Sequence, residues 1–275
     1  MTASAERTRA SFGYEWTSFD GVHDEDETYW QRYVAGVPLD RLDGLLGLDA
    51  GCGMARYSRF SAAHLRHLVC MDASSAAIVA ARTLRDVPRT SVVRGDLTEP
   101  PFPAESFGFI QSFGVLHHLE DPVAGFHRLL TLLGPGGLMA LYVYSRPEQW
   151  GVRSVALRAA AVLRCGAVHL PFSVLRVASW PTAVLLYGLV VVPGAAAQRR
   201  GRARLASLPL QAYRGKPLHT LWLDTFDRLS APVEHRYTWA DLEPWFRGLT
   251  IRHAVEDSGW YVVLEKPSPL LETDH

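Results

Sequence analysis

Two glycines and an aspartate end an apolar run in the stretch LLGLDAGCG. Gly51 and Gly53 have the spacing of a turn in which a backbone approaches a nucleotide closely, and Asp49 precedes them. A dinucleotide-binding loop needs a third glycine for close packing of the next helix, but that position holds Arg56. A carboxylate at Asp49 opposes a pyrophosphate and favours, directly or through water, a ligand that carries an ammonium and a sulfonium. S-adenosylmethionine is such a ligand.

The elements that position these residues follow from short apolar runs that alternate with segments of helical periodicity. Strands are predicted at residues 45–51, 66–74, 90–96, 107–115 and 138–145. Helices are predicted at residues 55–65, 76–85 and 122–133, the last stopped by GPGG before the fifth strand. A final helix and two strands return near the C-terminus. The pattern predicts an α/β fold with a doubly wound, mostly parallel, seven-stranded Rossmann-like sheet, in which ligands bind beyond the carboxyl ends of the strands.

The alternation is interrupted after the fifth strand, so four parts are predicted. Residues 1–40 form an N-terminal segment, residues 41–145 the core, residues 146–237 a largely helical insertion, and residues 238–268 the returning helix and strands.

Several motifs resemble those of the class I S-adenosylmethionine-dependent methyltransferases. LDAGCGMARY is similar to the glycine-rich first motif, with Ala55 where a third glycine is usual. VCMDAS resembles the second-strand motif, which implies that Asp72 accepts hydrogen bonds from both ribose hydroxyls. VRGDLTEPPFPAESFGFI resembles the adenine-binding motif, which implies that Asp96 accepts from the adenine amino group and that Leu97 offers a backbone donor. SFGVLHHLEDP and LLGPGGLMALYVY resemble the fourth- and fifth-strand motifs, although Gly108 stands where an acid is common.

These motifs, in order along residues 45–144, give a predicted set of cofactor-binding residues. The set is Asp49, Gly51, Cys52, Gly53, Asp72, Ala73, Gly95, Asp96, Leu97 and Phe113. The N-terminal FGYEW resembles the family's amino-terminal lid, and packing against the sheet edge is the alternative reading.

Methyl transfer to a hydroxyl needs a base, and an imidazole has a suitable pKa. His117 and His118 follow the fourth strand, where a histidine of LHH has this role in methyltransferases that the chain resembles. On an extended chain only one of the pair can face the pocket. Further polar residues lie near the end of the predicted insertion. They are interpreted either as part of the wall of the pocket or as ordinary polar residues of the surface. The predicted catalytic residues are His117, His118, His235 and Asp224, with His219, Asp227 and Glu234 as further candidates.

The amino-acid composition indicates which classes of partner and which cellular compartment to expect. The formal net charge is zero, so a nucleic-acid partner is not indicated, and three cysteines without paired or metal-ligand spacing fit a reducing compartment without zinc. The first residues carry charges and no apolar signal core, which predicts a cytoplasmic protein.

Residues 177–197 carry no charge and are long enough to cross a bilayer. Pro181 and Pro193, however, are predicted to leave a helical core of only eleven residues between them. A lid packed on the core is therefore favoured over an interfacial helix with peripheral membrane contact, and both over a span. Dimerisation through the same apolar face is a competing interpretation.

Together these features predict a methyltransferase that acts on a small, lipophilic specialised metabolite, with oxygen favoured as acceptor over nitrogen and carbon. Two alternatives stay open. One is a non-methylating enzyme of the same fold, such as a cyclase, and the other is a non-catalytic cofactor-binding subunit.

Overall fold

The computed structural model of the protein describes residues 2–19, 26–149, 151–199, 210 and 213–268. The chain divides into two compact units. The sheet unit comprises Trp16–Arg146 and Val233–His275, and the helical unit comprises Met1–Glu15 and Pro147–Pro232.

Seven strands form one sheet in the sheet unit. They are β1 Leu46–Ala50, β2 His67–Asp72, β3 Thr90–Arg94, β4 Phe107–Phe113, β5 Leu133–Tyr144, β6 Thr250–Glu256 and β7 Gly259–Glu265. Their order is β3-β2-β1-β4-β5-β7-β6, in which β1 to β5 are parallel and β7 is antiparallel to both of its neighbours. The predicted doubly wound, mostly parallel, seven-stranded sheet is confirmed.

Both faces of this sheet are covered. Phe109 and Ile110 are consecutive on β4 and point to opposite faces, yet both are fully buried. The same holds for Met139 and Ala140 on β5. Continuous apolar strands of this kind are typical of parallel sheets with helices on both sides.

The helices of the sheet unit are short. They are α2 Asp26–Tyr33, α3 Ser58–Ala62, α4 Ala76–Thr83, α5 Pro122–Leu132 and α10 Trp239–Leu242, with α1 Ala3–Ser18 beginning in the helical unit. The helix α5 begins where Asp121 accepts a hydrogen bond from the Ala124 N–H at 2.9 Å and proline occupies the first turn. It ends at Leu132, one residue before the predicted end, and β5 begins at once, so GPGG lies within the strand rather than before it.

The helical unit contains four further elements and one widened turn. They are α6 Val152–Ala167, α7 Phe172–Leu186, a π turn Tyr187–Val191, α8 Val192–Arg199 and α9 Leu218–Ser230. The indole Nε1 of Trp222 on α9 donates to the carbonyl of Arg176 and to the hydroxyl of Ser179 on α7, both at 3.0 Å. The ring of Tyr14 on α1 contacts Phe172 and Phe226, at centroid distances of 5.5 and 5.7 Å.

The prediction that Pro181 and Pro193 end the helical core is wrong. Helix continues for 28 residues over Phe172–Arg199, and Pro181 lies inside α7. Before Pro193 the N–H of Val192 bonds to the carbonyl of Tyr187, five residues back, and this wider turn gives the proline ring room. Each proline costs one backbone hydrogen bond, which the packing of a long helix can offset.

The predicted boundaries differ from the two units at two places. Residues 233–237, predicted to belong to the insertion, lie in the sheet unit, where Tyr237 bridges to Ser145 and its N–H donates to the Tyr144 carbonyl at 3.0 Å. The N-terminal segment, predicted as one piece, divides between the units after Glu15.

Candidate cofactor and active site

The turn after β1 brings the backbone close to its neighbours. The N–H groups of Gly51 and Cys52 both donate to the carbonyl of Met71, at 2.7 and 3.0 Å. Gly51 has a φ of 82°, and a Cβ at this position would lie 2.4 Å from a methyl group of Val115. Only glycine meets both demands, so the loop wraps tightly around the carboxyl end of β1.

Ala55 has a φ of 63° and is fully buried. This left-handed conformation explains why glycine is usual here in the first motif that the chain resembles. It also shortens the predicted helix over 55–65, which begins only at Ser58.

Asp72 holds this loop in place. The N–H of Gly53 donates to its Oδ2 at 3.0 Å, and the N–H and hydroxyl of Ser74 donate to its Oδ1 at 2.8 and 2.7 Å. A carboxylate oxygen accepts two hydrogen bonds, and Oδ2 receives one from the described residues. The half-buried Asp72 therefore has accepting capacity for a ribose hydroxyl beside the glycine loop.

Asp49 lies in a buried polar network behind the loop. Its Oδ2 accepts from the Ser58 hydroxyl at 2.6 Å and from the Gln111 amide at 2.8 Å. The network continues from Gln111 to Ser61 and the indole of Trp30. Burial raises the pKa of Asp49 to about 6, against the opposing effect of the two hydrogen bonds. Sequence reasoning missed the other four residues of this network, because all of them come from elements other than β1.

Asp96 shapes the turn after β3. Its Oδ1 accepts from the N–H and the hydroxyl of Thr98 at 2.9 and 2.7 Å, and Leu97 is buried beside it. The Gly95 N–H donates to the Asp72 carbonyl at 3.1 Å, which joins the turns that follow β2 and β3. The sheet topology thus brings the predicted ribose and adenine residues to neighbouring strand ends.

Cys52 is a loop residue with an unreactive thiol. A hydrogen bond with Cys70 and burial raise the pKa of Cys52 well above its usual value, which leaves the thiol protonated.

Aromatic side chains cluster at the carboxyl ends of β4 and β5. The ring of Tyr33 contacts Phe113 at 4.6 Å, Tyr57 and Tyr142 at 5.1 Å each, and Tyr261 at 5.5 Å between centroids. Sequence reasoning named only Phe113 of this group. Tyr142 and Tyr144 alternate at the end of β5, which is the signal that could have found them.

Arg56 connects the glycine loop to the N-terminal segment. Its guanidinium lies 4.7 Å from the ring of Tyr57 and 5.3 Å from that of Trp16. A Cβ on Gly53 would lie 3.1 Å from the indole nitrogen of Trp16. The end of the predicted lid segment therefore contacts the loop, whereas its role as a lid stays a prediction.

The predicted histidines meet at the end of β4. Leu116–His118 form a 3₁₀ turn, so the expected extended chain with opposed side chains is wrong. Gly114, with a φ of 80°, reverses the chain after β4 and brings the rings of His117 and His118 to 4.3 Å. The His235 N–H donates to the His117 carbonyl at 2.8 Å.

His117 and His118 have different surroundings. His118 is bound through Nδ1 to the Val233 carbonyl at 2.7 Å, so Nδ1 carries the proton. His117 is fully buried against the ring of Tyr144, and neither of its ring nitrogens has a hydrogen-bond partner among the described residues. Burial and, to a lesser degree, the charges of His118, Arg236 and His235 lower the pKa of His117 well below its usual value.

The remaining predicted residues occupy different places. Glu234 pairs with Arg236 at 2.8 Å, and that guanidinium lies 4.8 Å from the Tyr144 ring. Asp224, on α9 of the helical unit, accepts a hydrogen bond from the hydroxyl of Tyr213. His219 and Asp227 lie on the same helix. Catalytic roles for Asp224, His219 and Asp227 stay predictions.

Comparison with known proteins agrees with this geometry. A family model described as "Methyltransferase domain" matches residues 48–141. A demethylmenaquinone methyltransferase of Clavibacter sepedonicus is 34% identical over 118 residues, covering 42% of this chain and 46% of that protein. A probable S-adenosylmethionine-dependent methyltransferase of Mycolicibacterium smegmatis is 28% identical over 127 residues, covering 45% and 48%. The chain thus spans about half the length of the curated relatives it matches.

Solved structures share the fold across nearly the whole chain. The N-methyltransferase NodS of Bradyrhizobium japonicum, in complex with S-adenosylhomocysteine, has a TM-score of 0.54 at 13% identity and covers 95% of this chain and 100% of its own. An S-adenosylmethionine-dependent methyltransferase of Mesorhizobium loti has a TM-score of 0.51 at 18% identity, covering 90% and 100%.

The sheet unit therefore has the fold of the class I methyltransferases. More particularly, residues 48–141 match a methyltransferase domain, and S-adenosylmethionine is the cofactor that this match and the fold indicate. The residues fit this molecule: Gly51 has no room for a side chain, Asp72 has accepting capacity beside the loop, and Asp49 supplies a buried carboxyl group beneath it.

Proposed function

We propose that the chain transfers a methyl group from S-adenosylmethionine to a small, lipophilic acceptor, with oxygen as the favoured nucleophile. When bound, the cofactor supplies a methyl group already activated on a sulfonium, so the protein mainly aligns the acceptor and removes its proton. The observation that carries the proposal is His117, a buried imidazole without a hydrogen-bond partner among the described residues.

His117 has the properties of a general base for a hydroxyl acceptor. Its lowered pKa keeps the ring neutral, and a neutral imidazole has one nitrogen free to accept a proton. A buried polar group without a partner costs about 1 to 3 kcal/mol, and an acceptor hydroxyl that donates to this nitrogen would remove the cost. An amine with a free lone pair needs no base, so a buried basic nitrogen favours oxygen over nitrogen.

His118 and His235 are positioning residues in this proposal. The bond from His118 to the Val233 carbonyl and the bond from the His235 N–H to the His117 carbonyl fix the 3₁₀ turn. The Nε2 of His235 also bonds to the Leu119 carbonyl at 3.1 Å, on the other side of the turn. The turn therefore holds the base through contacts that need no substrate.

Aromatic walls support a lipophilic acceptor. Tyr33, Phe113 and Tyr142 pack ring against ring at the carboxyl ends of β4 and β5, the edge of the sheet at which ligands of this fold bind. Several matched relatives carry the name demethylmenaquinone methyltransferase, and demethylmenaquinone is a lipid-soluble quinone. A role in specialised metabolism and a cytoplasmic location are parts of the same proposal.

The proposal is tested by incubating the purified chain with methyl-labelled cofactor and a panel of acceptors. The panel contains prenylated hydroquinones, lipophilic phenols and matched phenols that carry a sulfonate. We expect label in the lipophilic hydroxyl compounds, with S-adenosylhomocysteine released in equal amount. A product formed without release of S-adenosylhomocysteine would indicate a cyclase, and cofactor binding without any product would indicate a non-catalytic subunit.

A further inference from the structure

The long helix of the helical unit, Phe172–Arg199, is apolar on its inner face. The buried residues Leu175, Ser179, Ala183 and Val191 recur every fourth position or a multiple of it, and so share one side of the helix. Ala183 and Val191 pack with Leu221 of α9. This stripe is the ordinary core-facing side of an amphipathic helix.

The opposite face is apolar as well. Val177, Val184, Leu185 and Leu189 are 73%, 43%, 60% and 67% exposed, and Trp180 beside them is 43% exposed. Of the most apolar 18-residue window, only 22% is buried. Eleven of the fifteen exposed large hydrophobic side chains that the structure describes lie between Val155 and Val192. A helix that is hydrophobic all round is covered by something, either a core, a partner or lipid.

The distribution of charged residues indicates what kind of partner covers the outer face of the helix. Ten of the 28 basic residues of the chain, and none of its 28 acidic residues, lie between Gln149 and Leu223. The whole chain is neutral, so the rest of it carries the opposite excess. Arg158 and Arg199 are exposed members of the basic group. Exposed apolar residues among arginines with no acid match an interface of acyl chains below anionic headgroups.

We propose that the helical unit docks on an anionic phospholipid bilayer through the outer face of Phe172–Arg199, which lies in the interface plane. The helix is by length and composition able to cross a bilayer. However, β5 and β6, which flank this segment in the chain, belong to one sheet, so a crossing helix needs a second one to return. The helix α6 has 16 residues, or about 24 Å, and carries three arginines, which makes it too short and too charged.

Self-association fits the same face less well. A twofold dimer places a patch against its own copy, so it would bring together two copies of a segment that has ten basic residues and no acid between Gln149 and Leu223. Anionic headgroups instead neutralise them. The inference goes beyond the proposed methyl transfer and does not depend on it, but it would bring the enzyme to acceptors dissolved in lipid.

The test is cosedimentation of the purified full chain with vesicles, without substrate. One set contains phosphatidylcholine alone, and the other contains phosphatidylcholine mixed with phosphatidylglycerol. We expect binding to the mixed vesicles that weakens with salt, and at least tenfold weaker binding to phosphatidylcholine. The double variant Leu185→Glu/Leu189→Glu should lose binding at least tenfold. Ile78→Glu is the matched control, because Ile78 is a 53% exposed hydrophobic residue of the sheet unit and should leave binding unchanged.

A second pair of variants tests the charge. Arg158→Gln/Arg199→Gln should weaken binding to mixed vesicles about 25-fold, at about fivefold per charge. Arg82→Gln/Arg85→Gln, which alters two exposed arginines of the sheet unit, is its control. Circular dichroism and thermal melts establish that each variant is folded.

Three results would overturn the proposal. They are absence of binding to mixed vesicles, resistance of the bound chain to extraction by alkaline carbonate, and a lipid-free dimer that Leu185→Glu/Leu189→Glu dissociates while vesicle binding persists. The cofactor-site variant Asp72→Ala should bind vesicles like the parent chain. Vesicle binding and methyl transfer can therefore fail separately.

Discussion

The imidazole of His117 lies on the ring of Tyr144, with centroids 3.9 Å apart and planes inclined by 30°. The contact joins the turn after β4 to the end of β5. It removes the histidine from water without giving it a hydrogen-bond partner among the described residues, and so keeps it neutral. A neutral imidazole at this place is available to take a proton.

Replacing His117 with alanine should lower turnover about a hundredfold, the usual contribution of a general base, and leave cofactor affinity unchanged. Because burial lowers the pKa of His117, the parent enzyme should keep its turnover as the pH falls through 6.5 and lose it only at lower pH. The measurement is turnover against pH, with affinity from calorimetry.

The control for this variant is His118→Ala. It breaks the bond to Val233, so it should lower the melting temperature while retaining the acid limb of the pH profile. Joint loss of cofactor affinity and turnover in His117→Ala would mean that this histidine shapes the nucleotide site rather than acting as a base.

Asp49→Asn should stabilise the cofactor-free protein at pH 8. The folded-state pKa of Asp49 is about 6, against 3.8 for an ordinary aspartate, so the native state binds more protons between these values. The contribution of Asp49 to the free energy of unfolding is therefore fully present below pH 3.8. It is lost as the pH rises through 6, and at pH 8 the free energy of unfolding is lower by about 3 kcal/mol. An asparagine oxygen can still accept from Ser58 and Gln111.

The stability that Asp49→Asn gains over the parent chain should shrink toward zero below pH 4. Thermal unfolding of both chains over a range of pH measures this difference. Calorimetry at pH 8 should show weaker binding of S-adenosylmethionine, since the carboxylate charge is lost. If the variant loses as much affinity for S-adenosylhomocysteine as for S-adenosylmethionine, Asp49 acts on the ammonium, which both molecules carry. If it loses less affinity for S-adenosylhomocysteine, Asp49 acts on the sulfonium. Parallel unfolding curves for parent and variant at every pH would contradict the burial argument.

Gly51→Ala should abolish detectable cofactor binding and strongly destabilise the loop. The new Cβ would overlap Val115 at 2.4 Å and adopt a φ of 82°. Gly114→Ala is the matched control, because Gly114 has a φ of 80° with nothing within 4 Å of a Cβ, so it should cost only about 1 to 2 kcal/mol. Adding Val115→Ala to Gly51→Ala should restore part of the stability. Equal melting temperatures for the two glycine variants would rule out the steric argument.

Asp72→Ala should reduce cofactor affinity at least tenfold, because charge-assisted hydrogen bonds to ribose are each worth about 1.5 to 3 kcal/mol. Ser74→Ala removes one bond to the same carboxylate and keeps its charge, so its effect should be much smaller. Asp96→Ala should also be milder, since adenine gains affinity from apolar neighbours. If calorimetry finds that Asp72→Ala binds the cofactor with the same affinity as the parent chain, the assignment of Asp72 to the ribose is refuted.

The sequence by itself determined the sheet and the cofactor loop. Asp49, Gly51, Gly53 and Asp72 stand at ends of apolar runs, and parallel strands place their carboxyl ends at one edge, so order along the chain already predicts proximity. These predictions hold in the folded protein because each motif lies within one strand and the turn that follows it, so its geometry depends on residues that are close in sequence.

Tertiary structure alone decided the surroundings of the histidines. His235 follows an insertion without clean periodicity, and only the pairing of Tyr237 with Ser145 aligns it with His117. That alignment depends on the register of two segments that lie far apart in sequence, which no local pattern encodes. The path of the long helix through Pro181 was decided in the same way, because the packing of a whole helix outweighed the penalty that one residue imposes.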